Sequence, residues 1–372
     1  MTSSYKRELP MRLPRVSLSV AGMTAGILVL MAGEALAFHD GGAAACGTCH
    51  ITHEDPRSTS GQQRFSPEWQ LRAATPSDLC LMCHAKNFGA VLGQSPLVPP
   101  EEIGAGNFVF LSEDNINDSP GGALMPILGD SAGHNLVAPG YGLDFDPRYT
   151  FSPGGTFPAQ SMGCTSCHDP HGTDSFRLLH GQGPVMDGLA DFSDPAPVAE
   201  GIALGEGAEL RTNHTAYISG MSAWCGNCHG HYHEGGRSAF QHPTDEELGL
   251  DERDQYNAYE GESNPLGGSI RTAYIPEIPF ESPDASVESR SGPENLGRVM
   301  CLSCHRAHAS SAPGGLRWDF NVSLLDDDGF VSGSYAIPSP YPGPEQGTLC
   351  RKCHETPESD DSDSIHRLLM QQ

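Results

Sequence analysis

The cysteines of this chain all fall in one repeated pattern. Each pair is separated by two residues and followed at once by a histidine, and six such C-x-x-C-H motifs use all 12 cysteines of the 372 residues. Two thiols at this spacing can bond the two vinyl groups of one porphyrin, and the histidine then lies under the iron. The sequence therefore predicts six haems c, each with two thioether cysteines and a proximal histidine. The motifs consist of Cys46, Cys49 and His50; Cys80, Cys83 and His84; Cys164, Cys167 and His168; Cys225, Cys228 and His229; Cys301, Cys304 and His305; and Cys350, Cys353 and His354.

Other uses of paired cysteines fit this pattern less well. Disulfides do not require a histidine after every second cysteine, and a zinc ribbon combines two C-x-x-C units without that histidine. A thioredoxin-like redox pair would occur once, at a turn from a strand to a helix. Haem attachment is the use of cysteine that the pattern favours.

The axial ligands of the irons can be counted in the same way. Six irons need twelve axial ligands, and the motif histidines supply six of them. Eleven further histidines are available for the other six positions, so each iron can take a second imidazole. An iron with two imidazoles is six-coordinate and has no position for a substrate, which favours electron transfer over catalysis. Methionine is the competing ligand, but four of the 11 methionines lie in the first 37 residues.

Seven of the eleven histidines are candidates for distal ligands because of their positions. Three follow a motif histidine by three residues and one follows by four, so a helical turn would direct the two imidazoles toward different irons. The other three lie in loop-like sequence that is rich in glycine or proline. Seven candidates for six positions leave one spare. In the order of these descriptions they are His53, His171, His308, His233, His39, His134 and His242.

The remaining four histidines receive an ordinary structural interpretation. His180 follows two leucines and fits a packed or surface side chain, whereas His214 and His366 fit solvated positions. His231 follows His229 by two residues and could bind an adventitious metal, but His229 is already committed to haem.

The sequence between the motifs is rich in residues that form turns. The chain has 44 glycines and 30 prolines, and only 37% of its residues are apolar, which is low for a conventional core. Runs such as Ser152-Pro153-Gly154-Gly155 and Pro313-Gly314-Gly315 interrupt any helical period. We predict a multihaem cytochrome c fold, mostly coil with short helices and few short strands, organised around six covalently bound haems. Short helices are expected at residues 76–85 and 244–252.

Three segments are expected along the chain. Residues 1–37 carry four basic residues, a mainly apolar stretch of 13 residues and an Ala-Leu-Ala ending, which is typical of a secretory signal peptide and too short for a membrane span. Residues 38–354 are expected to form a single hexahaem domain, because the first cysteines of successive motifs are 34, 84, 61, 76 and 49 residues apart, which is too irregular for a solenoid. Residues 355–372 form an acidic C-terminal tail.

The charge of the chain excludes two classes of partner. The 21 lysines and arginines against 47 acidic residues give a net charge of −26, which becomes −28 without the first 37 residues. Such a chain repels nucleic acid and anionic membranes at long range, so neither is an expected partner. The mature protein is also expected to have no membrane span.

The order and surroundings of the motifs resemble those of the OmcS-like family of outer-surface hexahaem c-type cytochromes, which form the filaments called cytochrome nanowires. The resemblance runs from residue 38 to residue 354, essentially the whole expected mature chain. It is carried by Phe38-His39-Asp40-Gly41-Gly42, His53, Gly133-His134-Asn135, Cys164-Thr165-Ser166-Cys167-His168-Asp169-Pro170-His171-Gly172, Trp224-Cys225, His242-Pro243 and Cys301-Leu302-Ser303-Cys304-His305-Arg306-Ala307-His308-Ala309-Ser310.

The resemblance implies how subunits would assemble and what they would do. It implies copies of the chain joined head to tail, with stacked haems in one continuous chain that alternates parallel and perpendicular pairs. Upstream periplasmic or outer-membrane cytochromes would supply electrons, and extracellular acceptors would receive them. The resemblance also implies that His53 of one subunit binds the haem of Cys301, Cys304 and His305 in its neighbour. Such a bond is heterologous and non-closing, which gives a filament rather than a ring.

These observations predict an electron-transfer protein and not an enzyme. The chain is expected to be secreted through the inner membrane and to pass from the periplasm to the outer surface as an extracellular filament. A monomeric periplasmic or outer-surface electron shuttle is the alternative that the residues leave open. A multihaem reductase is a further alternative. It would need a five-coordinate haem, often marked by a motif that ends in lysine, and none of the six motifs ends in this way.

Overall fold

A computed structural model describes residues 46–51, 71–85, 91–96, 104–112, 116–118, 125–127, 129–202, 209–233, 244–318, 324–325, 339–342 and 346–355. Within these residues the chain is mostly coil with short helices and short strands, so the predicted fold class is confirmed. The helices are α1 (Cys46–Cys49), α2 (Pro76–His84), α3 (Met221–His233), α4 (Leu250–Ala258) and α5 (Cys301–Cys304). Short 3-10 turns comprise Phe108–Ser112, Gly129–Ser131, Pro139–Tyr141, Ala159–Ser161, Cys164–Ser166, Phe176–Leu178, Met186–Gly188, Pro313–Gly315 and Leu349–Lys352.

The described strands form three antiparallel pairs and no larger sheet. Each strand has only three or four residues, and two of them, Met125–Ile127 and Gly183–Val185, contain proline, which cannot donate to a ladder. The pairs are β1 (Ile116–Asp118) with β2 (Met125–Ile127), β3 (Gly183–Val185) with β4 (Ala190–Phe192), and β5 (Val198–Glu200) with β6 (Ala216–Ser219).

Each of the six motifs lies in a helical turn. The first, second, fourth and fifth motifs lie in α1, α2, α3 and α5, and the third and sixth lie in the 3-10 turns that begin at Cys164 and Leu349. A helical turn brings residues three apart onto one face, so both cysteines of a motif are presented together. Helix α3 departs from helical geometry at His229, whose φ of −121° and ψ of 39° interrupt the helix at the motif histidine.

The two helices predicted from the sequence had different outcomes. Helix α2 begins at Pro76 as predicted and ends one residue earlier than predicted. Its start is fixed by Pro76 and by Thr75, which accepts a hydrogen bond from the backbone N–H of Asp78 at 3.0 Å. The helix expected at residues 244–252 is wrong, since helix α4 begins only at Leu250. Asp245 has a φ of +69°, which a helix cannot contain.

Two apolar clusters lie beside the motifs. Cys164 packs against the first cluster, and Cys304 and Cys353 pack against the second, which contains six aromatic side chains. Apolar side chains therefore fill part of the interior near the third, fifth and sixth motifs, despite the low apolar content. The first cluster comprises Leu81, Ala85, Leu92, Phe108, Val109, Phe110, Ala132, Leu136, Ala138, Leu143 and Ala309, and the second comprises Tyr256, Tyr259, Ala273, Tyr274, Ile275, Ile278, Phe280, Trp318, Leu325, Tyr341 and Leu349.

The surroundings of the first, third and fifth motifs are three copies of one arrangement. In each, the motif histidine forms an antiparallel bridge with a leucine, and the residue after that leucine donates its backbone N–H to the carbonyl oxygen of the second cysteine. The bridges join His50 to Leu71, His168 to Leu179 and His305 to Leu316. The hydrogen bonds join Arg72 to Cys49 at 3.0 Å, His180 to Cys167 at 3.0 Å and Arg317 to Cys304 at 2.7 Å.

A second contact recurs between neighbouring motifs. Ser77 and Ser222 each lie three residues before the first cysteine of an even-numbered motif, and each hydroxyl accepts a hydrogen bond from the first cysteine of the next motif. These bonds run from the N–H of Cys164 at 3.2 Å and of Cys301 at 3.1 Å. The chain therefore repeats local structure at uneven intervals. Because the sequence has no fixed period, this repetition is not visible in the sequence.

Candidate haem-binding site

All twelve cysteines lie in described residues, and none of them is in a disulfide. Consecutive motifs lie side by side. The thiols of Cys80 and Cys164 shift each other's pKa, so the second motif lies beside the third, and the thiols of Cys225 and Cys301 place the fourth beside the fifth in the same way. These are the two motif pairs that the hydroxyls of Ser77 and Ser222 also connect.

The other consecutive motifs are close enough for their thiols to interact electrostatically. Cys49 interacts with Cys83, Cys167 with Cys228, and Cys304 with Cys350 and Cys353. Each motif therefore neighbours the next in sequence order, from the first to the sixth.

Three motif histidines have one ring nitrogen fixed by the backbone. The Nδ1 atoms of His168, His229 and His305 lie 2.8, 2.7 and 3.2 Å from the carbonyl oxygens of Arg177, Pro153 and Gly314. A carbonyl oxygen can only accept, so Nδ1 carries the proton and the neutral ring presents an unprotonated Nε2. This tautomer, with Nδ1 oriented by a backbone carbonyl, is the usual state of a metal-binding histidine.

Two of those carbonyls belong to turns that the sequence indicated only as breaks in helical periodicity. Pro153 and Gly314 lie in the Pro-Gly-Gly runs at residues 153–155 and 313–315, and Gly154 and Gly314 have φ values of +69° and +68°. A Cβ on Gly155 would lie 1.8 Å from the carbonyl oxygen of Cys228, so only glycine lets this turn approach the fourth motif. The part that these turns play in the site was not predictable from the sequence, because it depends on contact with a distant motif.

Three pairs of imidazole rings have the separation that one iron requires. With a metal–nitrogen bond of about 2 Å on each side and a ring centroid about 1.1 Å behind each nitrogen, two imidazoles on one iron have centroids about 6.2 Å apart. The centroids of His50 and His171 are 6.2 Å apart, those of His134 and His229 are 5.9 Å apart, and those of His168 and His308 are 6.5 Å apart. Each pair combines one motif histidine with one distal candidate, so these residues fit haem iron.

Burial holds two of the distal candidates in the form that binds metal. It lowers the pKa of His134 to about 4 and that of His308 to about 3, so both rings are neutral at pH 7. The Nδ1 of His134 donates to the carbonyl oxygen of Ala307 at 2.6 Å, and the ring of His308 stacks on Phe108 with centroids 4.4 Å apart. Burial also lowers the pKa of the motif histidines His168 and His229.

Two glycines allow the backbone around His134 and His308 to come together. The backbone N–H of His134 donates to the carbonyl oxygen of His308 at 2.9 Å. A Cβ on Gly133 would lie 2.2 Å from that same oxygen, and one on Gly106 would lie 2.1 Å from the carbonyl oxygen of Ala309. The two distal candidates are therefore fixed by one close backbone contact.

A carboxylate orients the third described candidate, His171. Oδ1 of Asp169 accepts the backbone N–H of His171 at 2.9 Å and lies 3.5 Å from its Nδ1. A carboxylate in this position makes an imidazole a stronger metal ligand. Among the other candidates, His233 ends helix α3, while His39, His53 and His242 lie outside the described residues.

The histidines given a structural interpretation divide between two outcomes. His180 is packed as expected, with Nε2 donating to the carbonyl oxygen of Thr165 at 2.9 Å. The expectation that His214 is solvated is wrong, because its side chain is only 3% exposed. Its ring nitrogens lie 3.0 and 2.7 Å from the carbonyl oxygens of Thr215 and Ser289, and its ring stacks on Tyr274. His366 lies outside the described residues.

A buried cation lies within the sixth motif, and sequence analysis did not single it out. Lys352 is 1% exposed and donates to the carbonyl oxygen of Tyr259 at 2.8 Å. Its Nζ lies 4.7 Å from the ring centroid of Tyr256 and 5.7 Å from that of Tyr341, which are cation–π distances. Burial lowers the pKa of Lys352 to about 8.

Comparisons with known proteins find c-type cytochromes and a haem-attachment motif. The model of the doubled CXXCH motif family matches residues 157–186, around the third motif. The c-type cytochrome OmcS of Geobacter sulfurreducens is 28% identical over 431 aligned positions, which cover 91% of this chain and 98% of the relative. A solved structure of the outer membrane cytochrome S filament of the same organism matches with 26% identity and a TM-score of 0.68, over 85% of this chain and 99% of that one. A cryo-EM structure of OmcS nanowires matches with 25% identity, the same TM-score and the same coverage.

The fold and its repeated C-x-x-C-H motifs define a multihaem c-type cytochrome. More narrowly, the chain is a homologue of OmcS, so the resemblance drawn from its motifs is confirmed. In the part of the chain that the structure describes, no helix has the length and apolarity to cross a membrane.

Proposed function

We propose that this chain is an extracellular electron carrier that binds six haems c and joins head to tail into a conducting filament. The six haems are attached through the twelve motif cysteines, with the six motif histidines as proximal ligands. The observation that carries the proposal is the set of three ring pairs at 5.9 to 6.5 Å, each matching a motif histidine to a second imidazole. Irons with two imidazoles transfer electrons without binding a substrate.

The contacts between thiols support one unbroken path. Because each motif neighbours the next in sequence order, haems attached to them would follow one another from the first motif to the sixth. The close approach of Cys80 to Cys164, and of Cys225 to Cys301, would make the second and third haems, and the fourth and fifth, the closest neighbours. This alternation of closer and looser neighbours agrees with the stacked arrangement that the family resemblance implies.

A simple rule describes the distal ligands of the odd-numbered motifs. His171 follows the third motif and faces His50 of the first, and His308 follows the fifth motif and faces His168 of the third. The histidine three residues after an odd motif therefore serves the preceding odd motif. By this rule His305 needs a ligand from a later motif, and His53 has no earlier motif to serve.

A neighbouring subunit would supply both the later motif and the earlier one. A head-to-tail contact that brings His53 of one chain to the haem of Cys301, Cys304 and His305 in the next continues the rule without change. The family resemblance implies the same bond. Two independent arguments thus support a filament in which the joint between subunits extends the ligand pattern within each subunit.

We propose a second rule for the even-numbered motifs, based on one ring pair. His134 precedes the third motif and faces His229 of the fourth, so the ligand of an even motif would lie ahead of the odd motif before it. Applied to the other two even motifs, this rule assigns His39 to the haem of His84 and His242 to the haem of His354. All six distal positions are then filled, and His233 is the spare candidate.

The protein would act by fixing, insulating and tuning a series of redox centres. Bound haem supplies the one-electron exchange between Fe(III) and Fe(II). Backbone carbonyls hold the Nδ1 protons of His134, His168, His229 and His305, so that Nε2 of each could bind iron. Two imidazoles on each iron would exclude oxygen and other ligands. The chain itself forms and breaks no bond as electrons pass.

Intact mass and optical spectra of the secreted protein test this proposal. We expect the mass of a chain that begins at Phe38 and carries covalently bound haem. Six haems are expected because all twelve cysteines belong to motifs. The oxidised protein should show only low-spin bands, since every iron has two imidazoles. A high-spin component would favour a reductase, and six low-spin haems on a chain that stays monomeric by negative-stain microscopy would favour the shuttle.

A further inference from the structure

Around the first, third and fifth motifs, the side chain at one equivalent position makes the same contact. Arg72, His180 and Arg317, here called the clamp residues, each follow the leucine that bridges the motif histidine. Besides the backbone bond to the second cysteine, each donates a side-chain hydrogen bond to the carbonyl oxygen of the residue after the first cysteine. Nε of Arg72 donates to Gly47 at 2.8 Å, Nε2 of His180 to Thr165 at 2.9 Å, and Nε of Arg317 to Leu302 at 2.6 Å.

The three clamp residues are geometrically equivalent and electrostatically different. Arginine is permanently charged, whereas histidine is not. Arg317 is 3% exposed, and its Nη2 has no hydrogen-bond partner within the described residues. Its charge also acts on the thiol of Cys304 in the same motif. Arg72 is exposed, so water screens its charge more strongly. The middle motif has an imidazole where the other two have guanidinium groups.

We propose that the clamp residues tune the reduction potentials of the odd-numbered haems, and that His180 makes the haem of Cys164 and Cys167 the odd-numbered haem with the lowest potential. This inference rests on the proposed attachment of haem to these motifs. When an iron accepts one electron from its neighbour, Fe(III) becomes Fe(II), the neighbour is oxidised by one electron and no proton moves. A fixed cation beside the motif opposes the extra positive charge of Fe(III) and raises the potential. A guanidinium that instead neutralises a haem propionate has the same sign of effect.

The equivalence of the three positions supports a tuning role over a purely structural one. A hydrogen bond to a motif carbonyl can be made by arginine, histidine or a neutral amide. In the sixth motif Nε2 of Gln255 donates to the corresponding carbonyl oxygen, that of Arg351, at 3.0 Å. The structural requirement is therefore met without charge, and the charge remains as the property that differs between motifs.

Exchanging charge at the clamp positions of the full-length holoprotein tests the proposal. In a spectroelectrochemical titration, Arg317→Gln should lower one of six midpoint potentials by about 59 mV, which is a tenfold change in a one-electron equilibrium. His180→Arg should raise one potential in the same range. Arg317→Lys keeps the charge and should leave that potential near its original value. Arg72→Gln should cause a smaller decrease, because its side chain is exposed.

A matched control separates a specific effect from a general change of surface charge. Arg271 is an exposed arginine in a turn outside all six motifs, and its backbone N–H donates to the hydroxyl of Ser269. Arg271→Gln should leave all six potentials close to those of the parent. Unchanged potentials in both Arg317→Gln and His180→Arg, with six haems by mass and low-spin spectra, would refute the tuning role. A loss of haem or of low-spin bands in the parent protein would instead contradict the proposed function.

Discussion

Replacing His308 with alanine is expected to create one high-spin haem per chain and one binding site for carbon monoxide. The ring of His308 lies 6.5 Å from that of His168, the motif histidine that follows Cys164 and Cys167. Without it the iron bound by His168 has one imidazole, and water or a small ligand can occupy the sixth position. Electron paramagnetic resonance of the oxidised protein should show one high-spin iron in six, and the reduced protein should bind one carbon monoxide per chain where the parent binds none.

Two further variants make this expectation specific. His214→Ala removes another buried histidine, but both its ring nitrogens face backbone carbonyls, so we expect lower stability with all six haems low-spin. His308→Met supplies a different axial ligand and should restore a low-spin iron at a higher potential. A His308→Ala protein that retains six low-spin haems and binds no carbon monoxide would show that His308 is not a ligand.

Features set by local covalent chemistry were predictable from the sequence. The spacing of two cysteines and a histidine is sufficient to indicate haem attachment, because a porphyrin has two vinyl groups and one iron between them. The candidates His134, His171 and His308 were also identified from position alone, and each lies opposite a motif histidine.

The pairing of those histidines was not predictable, because it depends on contacts between distant segments. His134 donates to Ala307, 173 residues away, and this contact exists only because Gly106 and Gly133 let two loops approach closely. His214 shows that local sequence also does not separate a structural histidine from a candidate ligand. Its local sequence Asn-His-Thr looks as polar as Gly-His-Asn around His134, yet stacking on Tyr274 and two carbonyls bury it as a structural residue.

The arrangement shared by the first, third and fifth motifs was not predictable from the sequence for a different reason. The leucine that bridges the motif histidine follows it by 21 residues in the first copy and by 11 in the other two. Loops of different length can close the same contact at little extra entropic cost, so the period is lost while the geometry is kept. The same tolerance explains how turns with no helical or strand pattern can hold His229 and His305 in place.

Replacing His53 with alanine is expected to abolish long filaments and leave haem-loaded single subunits. Under the proposed ligand rule His53 serves the haem of Cys301, Cys304 and His305 in the next chain, so its loss removes the bond between subunits. Without the predicted signal peptide the chain has a net charge of −28, so subunits repel one another and depend on specific contacts to assemble. Negative-stain microscopy and size-exclusion chromatography should show monomers, and intact mass should still give six haems.

The spare histidine provides the matched control for this experiment. His233→Ala should leave filament length, haem count and low-spin spectra unchanged, because the two ligand rules assign no iron to His233. Added imidazole should return the open iron of the His53→Ala protein to the low-spin state without restoring filaments, since a free ligand cannot join two chains. Long filaments in the His53→Ala protein would contradict the bond between subunits, and loss of filaments in the His233→Ala protein would contradict the assignment of the spare ligand.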